Sequence, residues 1–253
     1  MVQQATPGAP GDPALRELEA VRRQLMVFAQ EMNIVYRDAR DRSAQLENVL
    51  NQLQAAHLAT MKTLAFVVEA KDLTTRGHLE RTHRYGVALA RLMDPDLARR
   101  PQLGYGFLLH DIGKVGVPEG ILGKEGPLTA DEMEVMKTHT VLGAQIVAPM
   151  EFLGEAVDVI KYHHERWDGC GYPHGLRREA IPLSARIFAV VDAFDAMTSD
   201  RPYREALRVE EAAAEIARGS GRQFDPEAVE AFHILIDRLE LAVAGPPTLS
   251  VVS

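Results

Sequence analysis

Cysteine is nearly missing from this chain: Cys170 is the only one in 253 residues. A single thiol rules out an intramolecular disulfide framework and fits a reducing, cytoplasmic setting. Long apolar runs are missing too, with nothing near the roughly 18–20 residues that a transmembrane helix needs. The opening MVQQATPGAPGDP has neither a basic nor an apolar leader segment, so nothing in it marks the chain for export. Basic residues are in deficit, 28 Lys and Arg against 36 Asp and Glu, for a net charge of −8. That balance argues against a DNA-binding face. It leaves a small anionic substrate open, because bound metal ions invert the local sign of a site and Lys114, Arg201 and Arg204 add a positive rim.

Proline and glycine are absent from Ala14 to Arg76, so no breaker interrupts a helical pattern there. Leu18, Leu25, Met32, Ala39, Leu46 and Leu53 recur every seventh residue. Val21, Phe28, Val35, Arg42, Val49 and Ala56 follow three later in each heptad. Such a seam argues for a coiled coil, with a soft point at Ala39 and Arg42 inside RDARDRS. A helix packed on its own domain is the alternative, but one this far ahead of the motifs has little to pack against. A homodimer through residues 14–63 is expected, after a disordered tail over 1–13. A catalytic domain over 64–240 and a tail over 241–253 complete the expected order. The stretch ahead of the coil is too short for a sensor domain.

Beyond Gly77 the pattern stays helical in shorter pieces: His78 to Met93, Pro101 to His110, Leu153 to His164 and Leu183 to Thr198. Thr129-Ala130-Asp131-Glu132 has the spacing of a capping box, and Asp225-Pro226 that of an N-cap followed by proline. A short hairpin is expected within 115–125 or 172–182. The fold class is all-α.

Within this frame stand His110-Asp111 followed by Lys114, and His163-His164 running into a glycine-rich WDGCGYP. Imidazole and carboxylate together suit first-row transition metals. Neighbours inside a helix point about 100° apart. A doublet therefore serves one ion only at a helix end, or else divides its residues between two ions. The stretches HDIGKVGVPEGILGKEGPLTADEMEVMKTH and HHERWDGCGYPHGL closely resemble the HD-GYP family of metal-dependent phosphodiesterases within the HD superfamily, over roughly residues 64 to 235. The resemblance implies a helical bundle and hydrolysis of cyclic di-GMP to pGpG, GMP or both. It implies a dinuclear site with one ion on His78, His110 and Asp192, the other on His139, His163 and His164, and Asp111 bridging. Iron is the metal it favours, then manganese. Some family members place a third-metal glutamate where this chain has Thr74; Glu69 is a substitute with the wrong spacing, so two ions are expected.

Two metals about 3.5–4 Å apart activate a bridging water and clamp the attacked phosphate, so no separate general base is named. Lys114 matches the family lysine that reaches the scissile phosphate. Gly169, Gly171, Tyr172 and Pro173 make a loop that approaches a ligand closely and offers an aromatic face to a base. Arg201 and Arg204 match cationic substrate contacts, and Asp195, one helical turn after Asp192, is read as orienting it or contacting substrate. The alternatives are a phosphodiesterase for another cyclic dinucleotide such as cyclic GMP-AMP, or a silent adaptor that engages a signalling partner. An adaptor usually loses ligands, and this chain has lost none.

Overall fold

A computed structural model describes residues 13–70, 77–200 and 205–239, and no strand occurs among them. Ten α-helices follow in order: α1 (Pro13–Glu69), α2 (His78–Met93), α3 (Pro95–Ala98), α4 (Pro101–Leu109), α5 (Glu119–Leu122), α6 (Ala130–Val147), α7 (Ala156–Tyr162), α8 (Leu183–Thr198), α9 (Val209–Arg218) and α10 (Pro226–Leu239). Short 3-10 turns lie at Ile112–Gly116, Glu151–Leu153 and Arg178–Ala180. The expected tails, apart from Pro13, which opens α1, and Thr74, Arg201 and Arg204 lie outside the described residues.

Local chemistry sets the helix starts. The Thr129 hydroxyl accepts from the Glu132 N–H while the Glu132 carboxylate accepts from the Thr129 N–H, the reciprocal box that opens α6. Asp94 caps Asp96 and Leu97 ahead of Pro95, and Asp225 accepts from the Glu227 N–H ahead of α10. The expected hairpin is not found. Residues 115–125 hold the end of a 3-10 turn and α5, and 172–182 hold turns with Arg178–Ala180. These segments lack the uninterrupted β-branched alternation that a ladder needs. The helix expected over Leu153 to His164 is shorter, because Gly154 sits at φ +44° and helix resumes only at Ala156. Helix α9 was not anticipated.

The chain divides into two units, Met1–Ala56 and His57–Ser253. In the first, the described side chains are exposed throughout; Leu18, Leu25, Phe28, Val35, Leu46 and Leu53 are half to two-thirds exposed. The second unit holds two apolar cores. One centres on α8, whose Ile187, Phe188, Val190 and Val191 are fully buried against Leu89 of α2, Phe107 of α4, Ile216 of α9 and Phe232 of α10. The other joins Met61, Ala65 and Val68 at the end of α1 to Leu108, Leu109, Leu153 and Ile160. Because Met61 already packs into this core, the compact unit begins earlier than the boundary expected at residue 64. Burying each large side chain contributes roughly 1.5–3 kcal/mol. Helix α4 supplies residues to both cores, so its C-terminal end, where His110 stands, is held from two sides. Among the described residues no helix is long and apolar enough to cross a membrane.

Candidate metal centre

Both ligand doublets stand at helix ends. His110 is the C-cap of α4, and Asp111 turns out of the helix at φ −98°, ψ 9°. His163 is the C-cap of α7, with His164 just beyond it. His78 opens α2, His139 lies within α6, and Asp192 lies within α8. The seven residues come together in two groups: His78, His110 and Asp192 in one, and Asp111, His139, His163 and His164 in the other. Within each group the ligand atoms lie within 4.8 Å of one another. The first doublet is therefore divided between the groups, while the second serves one group from a helix end.

The hydrogen-bonding pattern decides what these groups can hold. Nδ1–H of His110 donates to the Phe107 carbonyl at 3.0 Å, and Nδ1–H of His139 to the Met136 carbonyl at 2.7 Å. His163 Nδ1 lies 3.1 Å from the carbonyls of both Val159 and Ile160. His78 Nδ1 lies 2.8 Å from the Asp195 carboxylate. With the proton kept on Nδ1, each Nε2 presents a lone pair. These lone pairs converge: Nε2 of His139 and His163 are 3.5 Å apart, and both face Asp111 Oδ1, at 3.3 and 3.9 Å. Asp111 Oδ1 is buried and has no hydrogen-bond partner among the described residues. Acceptors aimed at acceptors repel unless a cation stands between them, and a divalent metal fits this donor set.

Electrostatics point the same way. Burial, then the neighbouring His139, pushes His164 down to about 4, and burial with His164 and His110 holds His163 well below the usual imidazole range. Burial also lowers His139. Burial pushes Asp111 up, but Lys114 and His110 outweigh it and hold its carboxyl well below the usual carboxylate range. Burial lowers His110, but the Asp111 charge outweighs it and raises this imidazole, so it is His139, His163 and His164 that are held neutral beside an ionised carboxylate, the protonation states that a metal requires. The Lys114 ammonium lies 2.7 Å from Asp111 Oδ2, whose other neighbour is His110 Nε2 of the first group at 3.1 Å.

Asp195 needs a correction. It does not reach an open substrate surface. Only 1% exposed, it accepts from His78 Nδ1–H and Arg81 Nε–H, and Arg81 Nη2 reaches both its Oδ2, at 3.0 Å, and the Ser199 hydroxyl. Its carboxylate is consumed in orienting His78. Burial raises it, but His78 and Arg81 bring it below its ordinary value.

The Tyr172 ring rests 4.7 Å from His164 at a 33° tilt and 6.4 Å from His139, so the glycine-rich loop lies over the second group. Lys137 stands 5.7 Å from the same ring. Burial, then the Asp111 charge, pushes the Tyr172 phenol upward. Pro173 follows through a cis peptide bond. A side chain at Gly171 would meet the His164 carbonyl and the Arg166 N–H within 2.5 Å, so only glycine permits this approach. Glu69 is nearer the site than its spacing suggested: burial raises its carboxyl against the opposing influence of His78 and His110, and its Oε1 is buried without a partner among the described residues.

Sequence reasoning missed Arg81, Glu165, Lys137 and Phe188. Arg81 follows His78 by three residues and Glu165 adjoins His164, so position within the motifs was the available signal. Phe188, whose ring lies 4.7 Å from His110, reads in sequence as one apolar residue among many.

The HD domain family profile matches residues 42–228. Over 221 residues the chain is 39% identical to a protein of Vibrio cholerae named cyclic di-GMP phosphodiesterase, covering 79% of this chain and 44% of that protein. A Thermotoga maritima protein of the same name is 42% identical, over 68% of this chain and 47% of its own length. A Vibrio cholerae protein named 3'3'-cGAMP-specific phosphodiesterase 2 is 34% identical, over 72% of this chain and 35% of its own. The chain thus spans half or less of the length of these relatives. A solved cyclic GMP-AMP specific phosphodiesterase of V. cholerae shares the fold, with a TM-score of 0.55 at 24% identity over 71% of this chain and 49% of that one. With the profile match spanning most of its length and the paired histidines leading into a GYP loop, this chain belongs to the HD domain family, in its HD-GYP branch.

Proposed function

We propose that this chain hydrolyses cyclic di-GMP, opening the ring to give pGpG, GMP or both. The observation that carries the reading is the convergence of imidazole lone pairs on the buried Oδ1 of Asp111, acceptors that repel one another unless a cation stands between them. His78, His110 and Asp192 would hold one ion and His139, His163 and His164 the other, with Asp111 as the carboxylate offered to both. A bound divalent pair supplies Lewis acidity and brings the pKa of water down to about 7. Iron is the metal proposed first and manganese second, since imidazole with carboxylate suits either. Water adds at phosphorus as the P–O bond to the departing ribose oxygen breaks, and the proton of the water ends on that oxygen or in solvent. Lys114 places a positive charge where the phosphoryl oxygens gain negative charge. Tyr172 and Pro173 receive a guanine, and Arg201 and Arg204 meet the phosphates.

The second reading, a phosphodiesterase for cyclic GMP-AMP, rests on the 34% identical relative of that name. We place the enzyme in the cytoplasm and pair it through residues 14–63 as a homodimer that answers to a signalling partner. The test is element analysis of freshly purified protein beside hydrolysis of cyclic di-GMP and cyclic GMP-AMP under one set of conditions. Two transition-metal ions per chain with faster turnover of cyclic di-GMP supports the first reading. Faster turnover of cyclic GMP-AMP supports the second, and metal-loaded protein that binds without turnover supports an adaptor.

A further inference from the structure

Glu165 takes no part in the chemistry above, yet it is only 3% exposed and both its oxygens are engaged. Oε1 accepts from the His174 N–H at 2.7 Å and Oε2 from the Leu176 N–H at 3.0 Å. Glu165 immediately follows the ligand doublet His163-His164, so a carboxylate tethered to a metal ligand grips the far end of the glycine-rich loop. The near end is tied to the same place: the Tyr172 N–H donates to the His164 carbonyl at 3.2 Å. Between Glu165 and Leu176 lie Gly169, Gly171 and Gly175, of which the first and last have positive φ, so the segment has wide backbone freedom when untied. A buried carboxylate that accepts two backbone N–H groups forms charge-assisted bonds, the stronger kind.

We propose that Glu165 is a positioning residue for substrate: it holds the Tyr172-Pro173 face in fixed register with His164, so that a base bound on the loop meets the metal pair in one geometry. This rests on the cyclic dinucleotide reading above. Preorganising a binding loop removes an ordering cost from each binding event. Without Glu165 the His174 and Leu176 N–H groups lose their partner and the loop samples other conformations, while α2, α4, α6, α7 and α8, which carry or adjoin the seven clustered side chains, keep their own packing.

The experiment compares wild type, Glu165→Ala and Glu165→Gln as full-length, metal-loaded protein. In Glu165→Ala the KM for cyclic di-GMP rises about tenfold or more, the loss of at least one charge-assisted bond. Metal content stays at the wild-type level. Turnover of bis(p-nitrophenyl) phosphate, a diester with no base to place, stays within about twofold, because the chemistry itself is untouched. Amide hydrogen exchange at His174 and Leu176 accelerates. Glu165→Gln, which keeps one acceptor oxygen and the side-chain shape, falls between, and it carries the comparison should Glu165→Ala fail to fold. Unchanged exchange at 174 and 176, an unchanged KM, or loss of metal with equal loss on both substrates overturns the proposal. Wild type that does not hydrolyse any cyclic dinucleotide sinks the functional reading instead, and the exchange measurement still reports on Glu165.

Discussion

Replacing Asp195 by alanine tests whether its carboxylate serves the metal centre or the substrate. The change leaves His78 Nδ1–H without its acceptor and deprives the Arg81 guanidinium of an ion pair whose carboxylate side chain is 2% exposed and whose arginine is a quarter exposed. Removing one partner of a buried pair costs about 3–5 kcal/mol. Water reaching the exposed part of Arg81, together with Ser199, which still accepts from it, brings the expected loss to about 2–3 kcal/mol. For a unit of this size that lowers the thermal midpoint by about 5–10 °C. Free rotation and tautomerisation of His78 then weaken the ion on His78, His110 and Asp192, about 10–100-fold on the scale of such outer-sphere partners. Asp195→Asn keeps the shape and one acceptor, so it loses less of both. The assays are differential scanning calorimetry and metal content after dialysis against a graded chelator. Wild-type metal retention and midpoint, with only a raised KM, would refute the reasoning and return Asp195 to the substrate surface.

Asp111→Ala is expected to abolish hydrolysis and to lower metal content at both positions; element analysis showing two ions per chain with near-normal turnover sinks the bridging assignment. Gly113→Ala is expected to destabilise by about 1–3 kcal/mol and to release metal, because the added carbon would lie 1.9 Å from the His139 carbonyl; a wild-type melting curve refutes it. Asp168, held at about 2 by hydrogen bonds from Arg166, is ionised more readily folded than unfolded, so its support of the loop is complete above about pH 4 and lost as pH falls toward 2. Exchange of the Cys170 amide, bonded to Asp168 at 2.9 Å, should quicken across that range, and a flat profile counts against it. Light scattering should give a dimer for the full chain and a monomer for one beginning at Ala59; a monomeric full chain at micromolar concentration removes the coil.

Much of this architecture was legible because its signals are local. The heptad seam, the Thr129 box, the proline starts of α4 and α10 and the apolar α8 are patterns within one turn or a few, and helices answer to such patterns. The clustering of the seven metal-type side chains was legible through motif and residue type, since so many have little use in a core. What stayed hidden depends on contacts distant in sequence. Asp195 reads as an acid one turn beyond Asp192, and only the approach of α2 to α8 reveals that His78 and Arg81 have claimed it. Glu69 was set aside on linear spacing, yet the chain brings it back beside His78. The missing hairpin has the opposite cause: glycine and proline at 116–126 and 171–182 punctuate turns as readily as strand ends.

The Nδ1 bonds of the ligand histidines divide the centre in a way that matters for how it can change over generations. His110, His139 and His163 each give that proton to a main-chain carbonyl of their own helix, three or four residues back. No codon change alters a carbonyl, so those tautomers are inherited with the helix. Of these four histidines, His78 alone depends on a side chain, Asp195, for the same service. Tautomer control is therefore open to mutation at His78 and fixed by the main chain at His110, His139 and His163, and related chains that differ in metal preference should differ first at the Asp195 and Arg81 positions.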